Sequence, residues 1–374
     1  MTLRMTKGLP RECFASDELF HRELAEAFGR HWIAVGSIDQ YRRVGNGEDS
    51  NGADSFWRID LGSHSIILLH RADGNYAAFH NVCRHRGTRL VEQPQGELKN
   101  GCVTCPYHAW TYGADGSLVG APNMADVPDF DRTDFGLKPV SVRIWADLIF
   151  VNLDEASSTF DDELGPLLDR MRNWQVERLQ LVHTLDYQVA ANWKLIFQNY
   201  SECYHCPTVH PDLNQQTPYK SATNDLVEGP ILGGPMQLAD GFETVSSDGK
   251  AVGPLFDTLD AEQKRSIYYY TVFPNMFVSA HPDYLMLHRL LPIDRGNTQV
   301  HCHFLATSDS SSESLARAWQ MWDTVNRQDW RVCELTQAGT NSPAYEPGPY
   351  SNLETMLIAF DRHYRSVINL RSDA

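Results

Sequence analysis

No apolar run in the 374 residues approaches the roughly 20 that span a bilayer, which removes a membrane-crossing helix from consideration. Met1–Arg11 has no stretch resembling the apolar core of a signal peptide, so a cytoplasmic protein with no membrane partner is expected. Basic residues are scarce: 32 Lys and Arg face 48 Asp and Glu, for a net charge of −16. Such a surface repels phosphate backbones, so nucleic acid is not expected as a partner. There is no internal repeat and no low-complexity linker. A Gly-rich nucleotide fingerprint is also missing, so any nicotinamide cofactor would have to bind another polypeptide.

What is present is a balanced composition, 42% hydrophobic and 21% charged, with length enough for two domains. The chain also has eight cysteines and fifteen histidines. In a reducing compartment these point to metal ligands more than to disulfides, and none of the cysteines requires a disulfide partner.

Ser16 reads as the N-cap of a packing helix with Leu19, Phe20, Leu24, Ala27 and Phe28 on its apolar face. From Trp32 to about Asp154 the text turns to short strand-like runs such as Ser65–Leu69 and Leu148–Val151. Ala114-Asp115-Gly116-Ser117 carries a hairpin signal, and residues 46–52 form a polar loop. Helical texture returns at Phe160–Arg172 and Asn192–His205, β-rich text runs from Tyr268 to Leu305, and a long helix is expected from Ser312 to Ala338 with Gly339 at its C-cap. The whole is α+β.

Two constellations carry chemistry. Cys83-Arg84-His85 and Cys105-Pro106-Tyr107-His108 form a C-x-H and a C-x-x-H pair with 19 residues between them, short enough for each pair to project from one turn. Two thiolates and two imidazoles also suit a tetrahedral zinc ion, which keeps a zinc-stabilised binding protein open as an alternative. Cys102 fits neither pair and is expected to be a buried thiol.

In the second constellation, Glu202 and His205 are three apart and share a face of the helix expected over Asn192–His205. Pro207 interrupts that helix and lets His210 fold back toward His205. An oxygen-activating non-haem iron(II) site uses two His and one carboxylate, leaving positions open. The carboxylate is found in the last long helix. There Leu315, Ala318, Trp319, Trp322, Val325, Val332 and Cys333 trace an apolar stripe on which Asp329 falls, with Asp323 about one position off it. A buried carboxylate needs a cation or strong donors; the alternative to a metal is a salt bridge to an arginine.

C-x-H followed by C-P-Y-H-x-W resembles the Rieske iron–sulfur motif. With N-W-K at 192–194, E-x-x-H-x-x-x-x-H at 202–210 and a late Asp-bearing helix, the chain resembles the α subunit of a Rieske non-haem iron oxygenase, nearest to the betaine and carnitine type. Ala109 stands where that family usually has Gly. The resemblance implies a small all-β Rieske domain and a larger α+β catalytic domain with an antiparallel sheet of the helix-grip type. The expected division is 1–31 as a helical segment packing on the catalytic domain, 32–155 as the Rieske domain and 156–374 as the mononuclear iron domain.

By the same resemblance, Cys83, His85, Cys105 and His108 would hold a 2Fe-2S cluster, and His205, His210 and Asp329 one Fe(II). Glu202 would be the carboxylate that carries electrons between subunits of a homotrimer. Dioxygen would be the co-substrate, with NAD(P)H electrons arriving through a separate flavin/iron–sulfur reductase, with or without a ferredoxin. The reaction would hydroxylate a small organic substrate. The E-C-Y-H-C-P run, with Glu at the bridge position, favours N-demethylation of a quaternary ammonium compound; aromatic-ring hydroxylation is the alternative. Tyr268, Tyr269, Tyr270, Phe273, Phe277 and Tyr284 are candidates for an aromatic cavity wall.

Overall fold

Ile66, Ile67, Leu68 and Leu69 are fully buried on a single strand, His64–His70, and this run lies inside the larger sheet of the first of two compact units, Phe28–Ser157. The computed structural model describes residues 5–42, 55–71, 73–154, 156 and 158–370; the polar loop at 46–52 lies outside them. The sheet has seven antiparallel strands in the order Ile33–Ser37, Leu148–Asn152, Pro139–Trp145, Tyr76–His80, His64–His70, Ser55–Leu61 and Gln95–Glu97. A three-stranded sheet, Cys102–Thr104, Thr111–Gly113 and Leu118–Gly120, completes the unit.

Its last two strands are joined by the hairpin expected at Ala114–Ser117. Asp115 Oδ1 accepts from the Ser117 amide at 2.9 Å, and Gly116 has φ +82°, where a Cβ would lie 2.3 Å from the Phe79 ring. One apolar cluster runs from Phe56, Ile67 and Phe79 through Tyr112 and Trp110 to Cys83 and Cys105, so the core of the unit ends at the two cysteine loops. Cys102, expected to be buried, is partly exposed at the start of a short strand.

The second unit combines Met1–Ala27 with Ser158–Ala374. Its sheet has six antiparallel strands in the order Gln180–Val189, Asn297–Ala306, Leu285–Asp294, Met276–Ala280, Ser266–Val272 and Ile231–Gln237. A helix of 29 residues, Ser312–Thr340, buries Leu315, Ala318, Trp322, Val325 and Cys333. It runs through Gly339 instead of stopping there, with Asn341 at the cap; Gly339 is not among the glycines of positive φ and forms no left-handed C-cap.

Ser16 caps the helix Asp17–Glu26 by accepting from the Leu19 amide at 3.1 Å. That helix delivers Glu23 to the N-W-K segment: its carboxylate takes the Lys194 ammonium at 2.6 Å and the Trp193 indole N–H at 2.8 Å, with all three side chains fully buried. The Tyr364 hydroxyl also donates to Glu23. Asn192 caps the helix that follows by accepting from the Lys194 amide at 3.0 Å.

That helix ends at Tyr200, well short of the expected His205. The Glu202 carboxylate accepts from the backbone N–H groups of Tyr204 and His205, a local bond that competes with helix continuation. Residues 202–205 therefore form a turn. Short helices Cys206–Val209 and Pro211–Gln216 follow, with His210 at the break between them at φ −127° and ψ 62°. A disulfide joins Cys203 to Cys206 across this turn, with Cα atoms 5.0 Å apart. No disulfide was expected to be required, but the C-x-x-C spacing on a turn brings these two sulfurs together.

No helix among the described residues is long and apolar enough to cross a membrane.

Candidate metal centres

In the first unit, Cys83 and Cys105 are buried, whereas His85 is exposed and His108 partly so. The two rings lie 4.7 Å apart between centroids, and His85 stacks on Trp110 at 4.8 Å. Each pair sits on a tight turn: Gly87 N–H donates to Cys83 O at 3.0 Å, and Ala109 N–H to Cys105 O at 3.1 Å. Ala109 adopts φ +57°, the left-handed region, which gives a physical reason for the glycine usual at this place. Tyr112, which the spacing argument missed, places its hydroxyl 3.3 Å from Cys83 Sγ and accepts from the Arg84 amide at 3.0 Å. No sequence signal beyond its strand placement marked it.

Tetrahedral zinc would draw all four donors onto one ion. Among the described residues these four do not gather in that way, and a set of three donors around one point is found only in the second unit. Two buried thiolates and two outward imidazoles suit a two-iron cluster instead, which corrects the zinc alternative.

That set of three is His205, His210 and Asp329, whose donor atoms all lie within 4.8 Å of one another. Asp329 Oδ1 is 2.8 Å from His210 Nε2 and 3.3 Å from His205 Nε2. The other ring nitrogens are held from behind. His205 Nδ1 is 2.6 Å from Glu202 Oε1, and His210 Nδ1 is 2.7 Å from Gln328 Oε1. Gln328 was missed in the sequence; its one signal is that it precedes Asp329 on the same helix. Asp323 is no part of this centre, pairing instead with Arg327 at 3.0 Å and the Tyr187 hydroxyl at 2.8 Å. The arginine alternative for Asp329 is replaced by the two imidazoles.

Burial works to raise the Asp329 carboxyl, but hydrogen bonds from His205 and His210 overrule it and hold it down at about 2. Burial likewise disfavours charge on His205, yet its bonds to Asp329 and Glu202 raise it to about 10. Two carboxylates converging on one imidazole create a demand for positive charge. Together with two imidazole nitrogens and one carboxylate oxygen, this fits a divalent iron with open positions.

These residues open on a cavity of about 200 Å³. Its walls include Tyr200, Leu232, Met236, Tyr269, Trp322 and Val325. Gly233, at φ +136°, lets its strand approach Tyr269 closely; a Cβ there would lie 2.0 Å from the Tyr269 carbonyl oxygen. Of the six aromatic residues expected on the wall, only Tyr269 lines it. Tyr270 turns away to Asp225, Phe277 stacks behind Tyr200 at 4.3 Å, and Tyr284 accepts from the Trp322 indole at 2.7 Å from beneath. The period-2 alternation of the strand hides its neighbours, and Tyr200 and Trp322 reach the cavity from helices.

The Rieske [2Fe-2S] domain family matches residues 38–131, and the ring hydroxylating alpha subunit (catalytic domain) family matches residues 176–370. The chain belongs to the Rieske non-haem iron oxygenase α subunits. The oxygenase is 30% identical to the glycine betaine monooxygenase oxygenase subunit of Pseudomonas aeruginosa, across 92% of this chain and 85% of that one. It is 27% identical to the chloroplastic choline monooxygenase of Arabidopsis thaliana, across 92% and 79%. A solved quaternary ammonium Rieske monooxygenase shares the fold, with a TM-score of 0.74 at 22% identity, covering 97% of this chain and 96% of that one. As a family member, the oxygenase uses a Rieske 2Fe-2S cluster, a mononuclear non-haem iron and dioxygen, with NAD(P)H electrons supplied through a reductase.

Proposed function

We propose that this oxygenase hydroxylates an N-methyl carbon of a small quaternary ammonium compound, giving a carbinolamine that releases formaldehyde. In this reading Cys83, His85, Cys105 and His108 hold the cluster, and His205, His210 and Asp329 hold the iron. Bound there, the metal groups supply electron storage and the activation of dioxygen. Asp329 contributes charge and His205 and His210 contribute direction, each imidazole fixed by the acceptor behind it, Glu202 or Gln328. Tyr200, Tyr269 and Trp322 offer aromatic faces to a trimethylammonium group and exclude water from it. The observation that carries the proposal is this aromatic wall beside a centre with two carboxylates, in a chain whose relatives include betaine and choline monooxygenases.

Glu202 is proposed to link neighbouring subunits of a homotrimer. Its Oε1 receives His205 Nδ1 from its own chain and retains a lone pair for a donor from another. The electron donor is a separate flavin/iron–sulfur reductase, and the setting is cytoplasmic.

The test is turnover of purified, metal-loaded enzyme with a reductase against a panel of methylammonium compounds and a panel of aromatic acids. Formaldehyde from the first panel is expected. Phenols or ring diols from the second, with no formaldehyde from any methylammonium compound, would establish the second reading, aromatic-ring hydroxylation, which the same aromatic wall also suits.

A further inference from the structure

We infer that Cys203 and Cys206 are a redox-active pair, interconverted between disulfide and dithiol by a small dithiol, and that the disulfide form holds the iron ligand His205 in place. The inference rests on the role proposed for His205 and adds to it a redox-dependent hold on the metal.

Three observations support it. First, the bond closes around the ligand. Residues 203–206 form a turn in which the Cys206 amide donates to the Cys203 carbonyl at 3.2 Å, and the disulfide encloses Tyr204 and His205. Cys206 Sγ lies 3.9 Å from His205 Nε2, the nitrogen that faces Asp329.

Second, of the three donors His205 has the least support from regular structure. Asp329 sits on the helix Ser312–Thr340, and His210 leans on Gln328 of the same helix. His205 projects from a turn that lies outside any helix or strand, and the carboxylate behind it, Glu202, belongs to that same turn. The disulfide is the covalent brace of this part of the site.

Third, the other six of the eight cysteines are free, among them the buried Cys13, Cys302 and Cys333. In the proposed cytoplasmic setting disulfides are rare and are mostly transient or redox-sensing, and C-x-x-C is the spacing of disulfide oxidoreductases. Cys203 and Cys206 both line the cavity, and Cys203 is partly exposed where Cys206 is buried. A dithiol that enters the cavity therefore meets the bond at Cys203.

A thiolate of the dithiol attacks Cys203 Sγ, the bond between the two Sγ atoms breaks, and Cys206 leaves as a thiolate and takes a proton. The second sulfur of the dithiol then displaces Cys203. Two electrons and two protons pass to the protein, and the dithiol becomes a disulfide. The turn loses its covalent closure, His205 gains freedom, and the iron is released faster. The oxygenase thus keeps its iron best under oxidising conditions, those in which dioxygen is present.

The test places metal-loaded enzyme in buffers of reduced and oxidised dithiothreitol. Alkylation and mass spectrometry count the thiols of the peptide containing residues 203–206. Release of the mononuclear iron to a chelator is timed, with cluster absorbance as the internal control. A reversible transition of two thiols is expected, with release about tenfold faster from the dithiol form, the low end of what disturbing the support of a metal ligand costs. The double variant Cys203→Ser/Cys206→Ser should release at the fast rate in every buffer; because the wild type is read in both forms, the result does not depend on the folding of that variant. Absence of the thiol transition, equal rates in the two forms, or slower release from the dithiol form, as a freed Cys206 thiolate acting as a further ligand would give, each overturns the inference and leaves the iron assignment standing. Absence of releasable mononuclear iron in both forms overturns the iron assignment and this inference with it.

Discussion

Glu202 Oε1 lies 2.6 Å from Nδ1 of His205, while Nε2 of the same ring faces Asp329 Oδ1 at 3.3 Å. One imidazole is thus clasped by two carboxylates with different duties: one at the proposed iron, the other behind it.

From this arrangement, Glu202→Gln should retain iron and acid-labile sulfide at wild-type levels and lose at least about a hundredfold in turnover. The amide keeps an acceptor for His205 but removes the charge assigned to electron relay. Iron and sulfide assays alongside formaldehyde formation check this. A variant that loses its mononuclear iron would show that Glu202 acts mainly by holding the ligand.

Asp329→Asn should lower bound iron from about three atoms per chain to about two, leaving the cluster's visible spectrum intact. The carboxylate supplies the charge that two neutral imidazoles lack. Retention of all three atoms would remove Asp329 from the ligand set.

Ala109→Gly should stabilise the cluster-bearing unit by about 0.5–1 kcal/mol. The position holds φ +57°, and relief of left-handed strain exceeds the added freedom of the unfolded chain. Melting followed by loss of cluster absorbance measures it; a lower melting temperature would contradict the strain argument.

Asp361 is buried, accepting from Gln198 at 2.9 Å and Tyr350 at 2.9 Å; burial pushes its carboxyl up to about 7 against the lowering effect of those bonds. A folded value above the unfolded one means that its contribution to stability is complete below about pH 4 and is lost as pH rises through 7. Asp361→Asn is neutral throughout. Its melting temperature relative to wild type should therefore climb between about pH 4 and 7.5 and level off above, reflecting a difference on the order of 2–4 kcal/mol. A flat difference across that range counts against a raised Asp361.

Spacing singled out Cys83, His85, Cys105 and His108 as candidates because donor pairs on tight turns are local in sequence. Asp329 was legible for another reason, a carboxylate on an otherwise apolar helical stripe. What could not be read were consequences of side chains meeting the backbone or each other. Periodicity carried the helix on to His205, whereas the Glu202 carboxylate captures the N–H groups that the helix needs. The Cys203–Cys206 bond, the Gln328 support of His210 and the contribution of Tyr200 and Trp322 to the cavity all depend on how elements come together. Alternation along one strand does not hold that information.

The Glu23–Lys194 pair joins residues 171 positions apart within one compact unit, and residues 28–157 are made between them. As the ribosome releases the chain, the cluster-bearing unit has its full sequence while the other unit still has only the segment before residue 28 and must wait for its last helix. Dissection at the gene level has the same geometry. Cutting before residue 158 would leave the Lys194 ammonium sealed in the core without its counter-charge, a loss of about 3–5 kcal/mol. A piece of the chain meant to keep the catalytic unit must therefore retain Glu23 together with residues 158–374.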